Sequence, residues 1–355
     1  MLKNIPFFIV ITGNFLGKKT KVLDEMVKDN RDGNNPLVGV VLAAGKGTRM
    51  KSTLPKVLHP LLGRPMLSYV LDLLTNLDVA RKVVVVGHKA ESVKKEFDDS
   101  QVDFVLQAEQ LGTGHAVKQT QDVLSDVKAD ILIICGDTPV FTLETLKKFV
   151  SEHRKNRSRL SILSSFFENP RGYGRIVRNS SQEFLMDKIV EERDATFEER
   201  QIKEINTGTY LVDAEMLFKL LDKLDDNNDQ GEYYLTDIVS HAVAQGELVY
   251  AFPFASEEEA LGVNSRADLS KAESILLKRL RLHWMAQGVT FEMANTTYLE
   301  PTVKLGKDVV VRPHVVMKGD VEVGDNAVIG SFSYLRDVSV EEGANIAPFS
   351  NLQPN

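Results

Sequence analysis

The sequence predicts an α/β domain with a mixed, mostly parallel sheet, then a linker helix, then a short left-handed parallel β-helix. Three observations carry this. Apolar runs of strand length alternate with helical stretches from Leu37 to about Asn264, the pattern of a sheet covered on both faces. A capped, helically periodic stretch begins at Ser265. After Val289 an aliphatic residue recurs every six positions, the sign of a hexapeptide solenoid.

In the first region the strands are read at Val38–Leu42, Lys82–Val86, Asp103–Leu106 and Ile131–Cys135, and helices at Met66–Leu77 and Gly114–Val123. In open α/β sheets ligands bind outside the carboxyl ends of the strands. The glycine-rich turn after Leu42 and the Gly136-Asp137 pair after Cys135 both fall at such ends, so both are expected to face one crevice.

Ser265 with Asp268 three residues on has the form of a helix N-cap, and Leu269, Ala272, Ile275, Leu276, Arg279, Leu280 and His283 share one face. Gly288 is a C′ stop. The linker helix is placed from about Arg266 to Gln287. The hexad positions are Leu299, Leu305, Val311, Met317, Val323, Ile329 and Leu335, then, after one shortened step, Val340, Ile346 and Leu352. Gly306, Gly324 and Gly330 each follow a hexad residue. Three hexads make one triangular coil, so 299–352 holds about three coils.

The chain has 355 residues and a formal net charge of -7, with a pI near 5.6, which argues against nucleic acid as the main partner. The length exceeds one typical core. Cys135 is the only cysteine, which excludes an intrachain disulfide and fits a reducing, cytoplasmic setting. No apolar run approaches a membrane span. Residues 1–36 are read as an extension outside the fold: the short apolar run Ile5–Ile11 follows Lys3, but no A-x-A cleavage site follows it.

The most informative motif is Leu42-Ala43-Ala44-Gly45-Lys46-Gly47-Thr48-Arg49-Met50 with Leu54-Pro55-Lys56, placed directly after a buried strand. Glycines let the backbone approach an anion, and Arg49 and Lys56 supply positive charge. A Walker loop is excluded by spacing, and the dinucleotide pattern G-x-G-x-x-G fails at Met50. Asp137, at a strand end near this loop, has the hard oxygen ligands that Mg²⁺ takes when it bridges phosphates. The turn from Gln107 to Ala116 offers an amide and backbone groups to the edge of a nucleobase; His115 within it is read as structural rather than catalytic.

Six segments then carry a family resemblance: Leu42–Lys56, Leu106–Ala116, Cys135–Pro139, Gly172–Ile176, Ile189–Ala195 with Glu204–Gly208, and Gly231–Asp237 with Gly262–Asn264. With the hexapeptide domain, they resemble the bacterial bifunctional N-acetylglucosamine-1-phosphate uridylyltransferase / glucosamine-1-phosphate N-acetyltransferase family, whose first domain is a Rossmann-like nucleotidyltransferase. The resemblance implies that Leu42, Ala43, Ala44, Gly45, Gln107, Gly112 and Thr113 hold the uridine. Arg49 and Lys56 would contact the triphosphate and stabilise charge at phosphorus. Asp137 and Asn264 would ligate Mg²⁺, and Gly136, Gly174, Glu191 and Asn206 would complete the N-acetylglucosamine site. The implied reactants are UTP and N-acetylglucosamine 1-phosphate, and the products UDP-N-acetylglucosamine, for cell-envelope precursors, and pyrophosphate. A homotrimer through the β-helix is implied as well. Asn264 and Glu191 come from the resemblance alone; by themselves they read as a turn residue and a solvated charge.

Two departures stand out. Cys135 occupies a place where the family often has an aromatic residue. Near the C-terminus Gln353 stands where the acetyltransferase site calls for arginine, and the downstream site residues are not in this chain; acetyl transfer is therefore expected to be absent. The competing expectations are a nucleotidyltransferase for another sugar 1-phosphate, such as glucose 1-phosphate, and a non-catalytic nucleotide-sugar sensor.

Overall fold

In a computed structural model, residues 35–98, 101–180 and 184–354 are described. The extension read at residues 1–36 therefore lies outside the described residues, except its last two. Those two belong to the fold: Asn35 Nδ2 donates to Asp130 at 3.2 Å, Arg154 donates to Asn35 O at 2.8 Å, and Asp130 N donates to Pro36 O.

The strands of the first region are β1 (Leu37–Ala43), β2 and β3 (Pro60–Leu61, Arg64–Pro65), β4 (Arg81–Val86), β5 (Asp103–Leu106), β6 (Asp130–Cys135), β7 (Leu160–Phe166), β8 (Arg175–Arg178), β9 (Met186–Val190), β10 (Glu204–Asp213) and β11 (Val249–Phe252). β2 and β3 form a small ribbon of their own. The main sheet runs β11-β7-β10-β6-β1-β4-β5. β1 pairs in parallel with β4 and β6, and β4 with β5. β10 is antiparallel to both β6 and β7, and β11 parallel to β7, so the sheet is mixed. β8 and β9 leave it as an antiparallel ribbon touching β10 where Arg175 faces Ile205.

Side chains alternate across a strand, and both faces here are apolar. Val40, Val83, Val85 and Ile133 enter one core, and Val41, Val84, Val86 and Ile134 the other, all fully buried. The second face is covered by α1 (Met66–Asn76) through Val70 and Leu74, with α2 (Ala90–Glu96) beside it through Val93. The segment read as one helix over Gly114–Val123 is instead two short helices, α3 (Thr113–Lys118) and α4 (Gln121–Leu124). The break has a cause: the Thr120 hydroxyl donates to Val117 O at 2.7 Å, a side-chain bond that competes with the helical ladder. α5 (Leu143–Lys155) packs Leu146 and Phe149 on the second face, whereas α6 (Ala214–Leu221) and α7 (Asp237–Ala244) pack Leu217, Ile238 and Val239 on the first.

The linker helix α8 spans Arg266–Ala286. Its N-terminus is a full capping box, with Ser265 accepting from Asp268 N and Asp268 accepting from Ser265 N. Gly288 follows with φ +98°. Beyond it three parallel sheets form the faces of a β-helix: Phe291, Val311, Ile329 and Ile346 stack on one, Leu299, Met317, Leu335 and Leu352 on the second, and Leu305, Val323 and Val340 on the third. The first coil therefore starts at Phe291, before the first hexad residue read from sequence. Glycine is required at the corners because the next coil passes so close: a Cβ on Gly306, Gly324 or Gly330 would lie 2.4 Å, 2.6 Å and 2.5 Å from it.

Candidate active site

The loop after β1 turns at Gly47, whose φ is +59°. A Cβ there would sit 2.7 Å from Lys56 Cβ, so the loop packs directly on the Lys56 stem. Met50 is 1% exposed; the position that excludes the dinucleotide pattern is an apolar plug holding the turn down. Pro55 then leads into a 3-10 turn over Lys56–Leu58, which aims Lys56 at the end of β6.

There three side chains from distant parts of the chain meet. The Lys56 ammonium donates to the Asp137 carboxylate and, at 3.1 Å, to Asn264 Oδ1. Asp137 is fixed from behind by Val263 N, which donates to its backbone carbonyl at 2.8 Å. Asn264 N donates to the capping carboxylate of Asp268. Two oxygens that converge on one ammonium also suit a hard cation, so Asp137 and Asn264 fit Mg²⁺. Among the described residues no group of three or more acidic, His or Cys side chains is placed to hold a metal ion; a cation held here would need oxygen ligands from a bound phosphate or water.

Lys56 and Asp137 lie on the wall of a cavity of about 480 Å³, with Leu42, Ala43, Ala44, Gly45, Gln107, Gly112 and Thr113. The structure thus brings together the first loop, the Gln107 turn and the end of β6. Gln110 and Glu232 also line it and were not singled out from sequence, as does Cys135, noted there only as a departure from the family pattern; Glu232 stands inside the Gly231–Asp237 segment, which carried no assigned role. That segment braces the turn: Tyr233 N donates to Leu111 O and Gly114 N to Tyr233 O, both at 2.8 Å, and Leu235 N donates to the Thr113 hydroxyl at 3.1 Å. Gly112 is needed beside it, since φ is +111° and a Cβ would lie 2.5 Å from Tyr233 O. Burial, with the Asp137 charge adding, pushes the Cys135 thiol up to about 12.

Not every expected residue reaches this cavity. Arg49 is exposed and has no side-chain hydrogen bond or ion pair among the described residues, one short turn beyond the lining. Gly136 is buried and does not line this cavity; its N–H goes to Leu42 O at 2.9 Å, which ties β6 to β1. Gly174, Glu191 and Asn206 form a second group. Asn206 N donates to Gly174 O at 2.9 Å, and Glu191 Oε1 lies 3.4 Å from where a Gly174 Cβ would be. A β-bulge between Asn206 and Thr209 turns the strand, with Gly208 N donating to Asn206 Oδ1 and Gly208 O facing the Cys135 thiol at 3.8 Å. The bulge thereby joins this group to the cavity wall. Burial raises the Glu191 carboxyl above the usual range against the opposing Thr236 hydroxyl, whereas Glu192 beside it pairs with the buried Arg175 at 2.6 Å. Of two adjacent glutamates, one is turned inward, which a charged run in sequence does not reveal.

Residues 38–286 match the family described as Nucleotidyl transferase, and residues 302–337 match Bacterial transferase hexapeptide (six repeats). The Bifunctional protein GlmU of Exiguobacterium sibiricum is 47% identical over 305 residues, covering 86% of this chain and 67% of that protein. The protein of the same name from Bacillus subtilis strain 168 is 42% identical over 332 residues, covering 89% and 72%. Among solved structures, a UDP-glucose pyrophosphorylase complexed with UDP-glucose superposes with a TM-score of 0.55 at 18% identity, covering 69% of this chain and 99% of that one; at that identity it shares the fold. Family match, repeat domain and relatives together place the chain in the nucleotidyl transferase family, among the GlmU proteins.

Proposed function

We propose that this chain transfers uridylyl from UTP to N-acetylglucosamine 1-phosphate, releasing pyrophosphate. The observation that carries the reading is the meeting of Lys56, Asp137 and Asn264 beside a glycine-lined cavity. The sugar phosphate attacks the α-phosphorus; a new P–O bond forms as the bond to the β,γ-pyrophosphate breaks. The nucleophile is already an anion, so no general base is required, and catalysis is positioning plus charge neutralisation. Lys56 neutralises charge on the triphosphate, with Arg49 reaching in from the exposed turn. Mg²⁺ held by Asp137 and Asn264 would supply further positive charge. Leu42 to Gly45, Gln107, Gly112 and Thr113 hold the nucleoside, and Gly174, Glu191 and Asn206 hold the acetylated sugar. The reaction is read as cytoplasmic, on water-borne substrates; among the described residues no helix is long and apolar enough to cross a membrane.

Pyrophosphate release measured across sugar 1-phosphates and nucleoside triphosphates tests this. Turnover is expected with UTP and N-acetylglucosamine 1-phosphate. Preference for glucose 1-phosphate would transfer the reading to another sugar, and nucleotide binding without turnover would make the protein a sensor. On the strength of Gln353, acetyl transfer from acetyl-CoA to glucosamine 1-phosphate is expected to be absent from the same preparation. Association through the β-helix is expected to give a trimer, read by light scattering.

A further inference from the structure

Gln107 lines the nucleotide cavity yet is only 3% exposed. Its Nε2 lies 3.0 Å from Gly112 O and 3.1 Å from His115 Nδ1. A carbonyl oxygen only accepts, so the NH₂ end must face Gly112; turning the amide would set two oxygens against each other. The second Nε2 hydrogen then goes to His115 Nδ1, which must be unprotonated, leaving the ring proton on Nε2. On the far side Gln119 Nε2 sits 3.1 Å from His115 Nε2 and 3.2 Å from His115 O. One amide cannot serve both of those with the same atom once His115 Nε2 is a donor. The conflict resolves at the wetter end: Gln119 is half-buried and can turn toward water, whereas Gln107 cannot. An unmade hydrogen bond costs most where no water replaces it.

With both Nε2 hydrogens engaged, Gln107 has only its carbonyl oxygen to offer a base. Uracil presents N3–H, a donor, to such an oxygen. Cytosine presents an unprotonated N3, which an oxygen repels. We infer that His115 is a positioning residue that locks the Gln107 amide in its oxygen-outward orientation and thereby sets the preference for uridine over cytidine triphosphate. The inference rests on the proposed uridine reading of the cavity.

The test is kcat/KM for UTP and CTP, by pyrophosphate release, in the unaltered protein and in His115→Leu, His115→Asn and Gln107→Leu. The UTP/CTP ratio is expected to fall about tenfold in His115→Leu, the scale of one lost buried hydrogen bond, and to recover in His115→Asn, whose amide oxygen reaches the Nδ1 position. A purely structural role would move stability and both substrates alike, not the ratio. Should His115→Leu fold poorly, His115→Gln, whose acceptor reaches the Nε2 position instead, is expected to show the same fall. An unchanged ratio in the His115 variants with a collapsed ratio in Gln107→Leu overturns the positioning role alone. An unchanged ratio in Gln107→Leu overturns the uridine reading of this turn, and the inference with it.

Discussion

Lys56 and Asp137, 81 residues apart in the chain, form an ion pair whose side chains are 14% and 18% exposed. The pair joins the first loop to the end of β6. Removing one member leaves the other charge partly desolvated and alone, so both roles and stability meet at this contact.

Lys56→Ala is expected to lower kcat by about 10²–10³, the usual loss when one preorganised donor to developing charge is removed. The circular dichroism of the folded chain should persist. Turnover within a few-fold of the unaltered protein would remove Lys56 from the chemistry.

Asp137→Asn keeps the shape but removes the one negative charge that the two protein ligands offer a cation. The Mg²⁺ concentration for half-maximal activity is expected to rise by roughly an order of magnitude or more. Mn²⁺ binding followed by electron paramagnetic resonance in the presence of UTP should weaken in parallel. Unchanged metal dependence would sink the assignment.

Gly47→Ala places a methyl group 2.7 Å from Lys56 Cβ at a φ of +59°. The strain should cost about 1 kcal/mol or more, read in denaturant titration. Because the clash is with Lys56 itself, kcat/KM should drop well beyond what the stability loss explains. A variant that is destabilised but fully active at low temperature would show the loop to be a spacer only.

Glu191 gives a pH-dependent prediction. Burial raises its carboxyl in the folded chain, so the folded state binds this proton more tightly than the unfolded one. The group costs nothing below the ordinary glutamate range and its full penalty above its raised value; stability is lost as pH rises between the two. Glu191→Gln should therefore raise the melting midpoint at pH ~7.5 by roughly 1–3 °C and leave it nearly unchanged near pH ~4. The same change should raise KM for the sugar phosphate. A stability gain equal at both pH values would contradict the burial argument.

In the β-helix, Gly324→Ala drives a methyl group to 2.6 Å from Glu342 N of the next coil. Overpacking of that kind costs about 1–3 kcal/mol. Calorimetry should show the loss in the repeat domain while uridylyl transfer at 25 °C persists. An unshifted calorimetric trace would mean the coils have slack at that corner.

What could be read in advance follows the range of the interaction. The loop after β1, the acid at the end of β6, the capping box and the hexad ladder are local patterns, and each stands where the residues put it. Asn264 was not legible from its surroundings because its partner, Lys56, is 208 residues away. Glu191 sits in a charged run whose two glutamates differ only in which way the chain turns. Phe291 escaped the repeat because eight residues, not six, separate it from Leu299, room taken up by a 3-10 turn over Ala294–Thr296. The antiparallel setting of β10 also left no local mark, since a strand buried on both faces reads the same in either direction.

The capping box has one further consequence. Asn264 N and Ser265 N both donate to the same Asp268 oxygen, so the backbone that carries the Asn264 carboxamide is tied to the first turn of a 21-residue helix as well as, through Val263 N, to the end of β6. Helix ends are the first parts to fray on warming. Heating should thus silence the enzyme some degrees before the chain melts, reversibly, with the catalytic centre slackening while both cores are still intact.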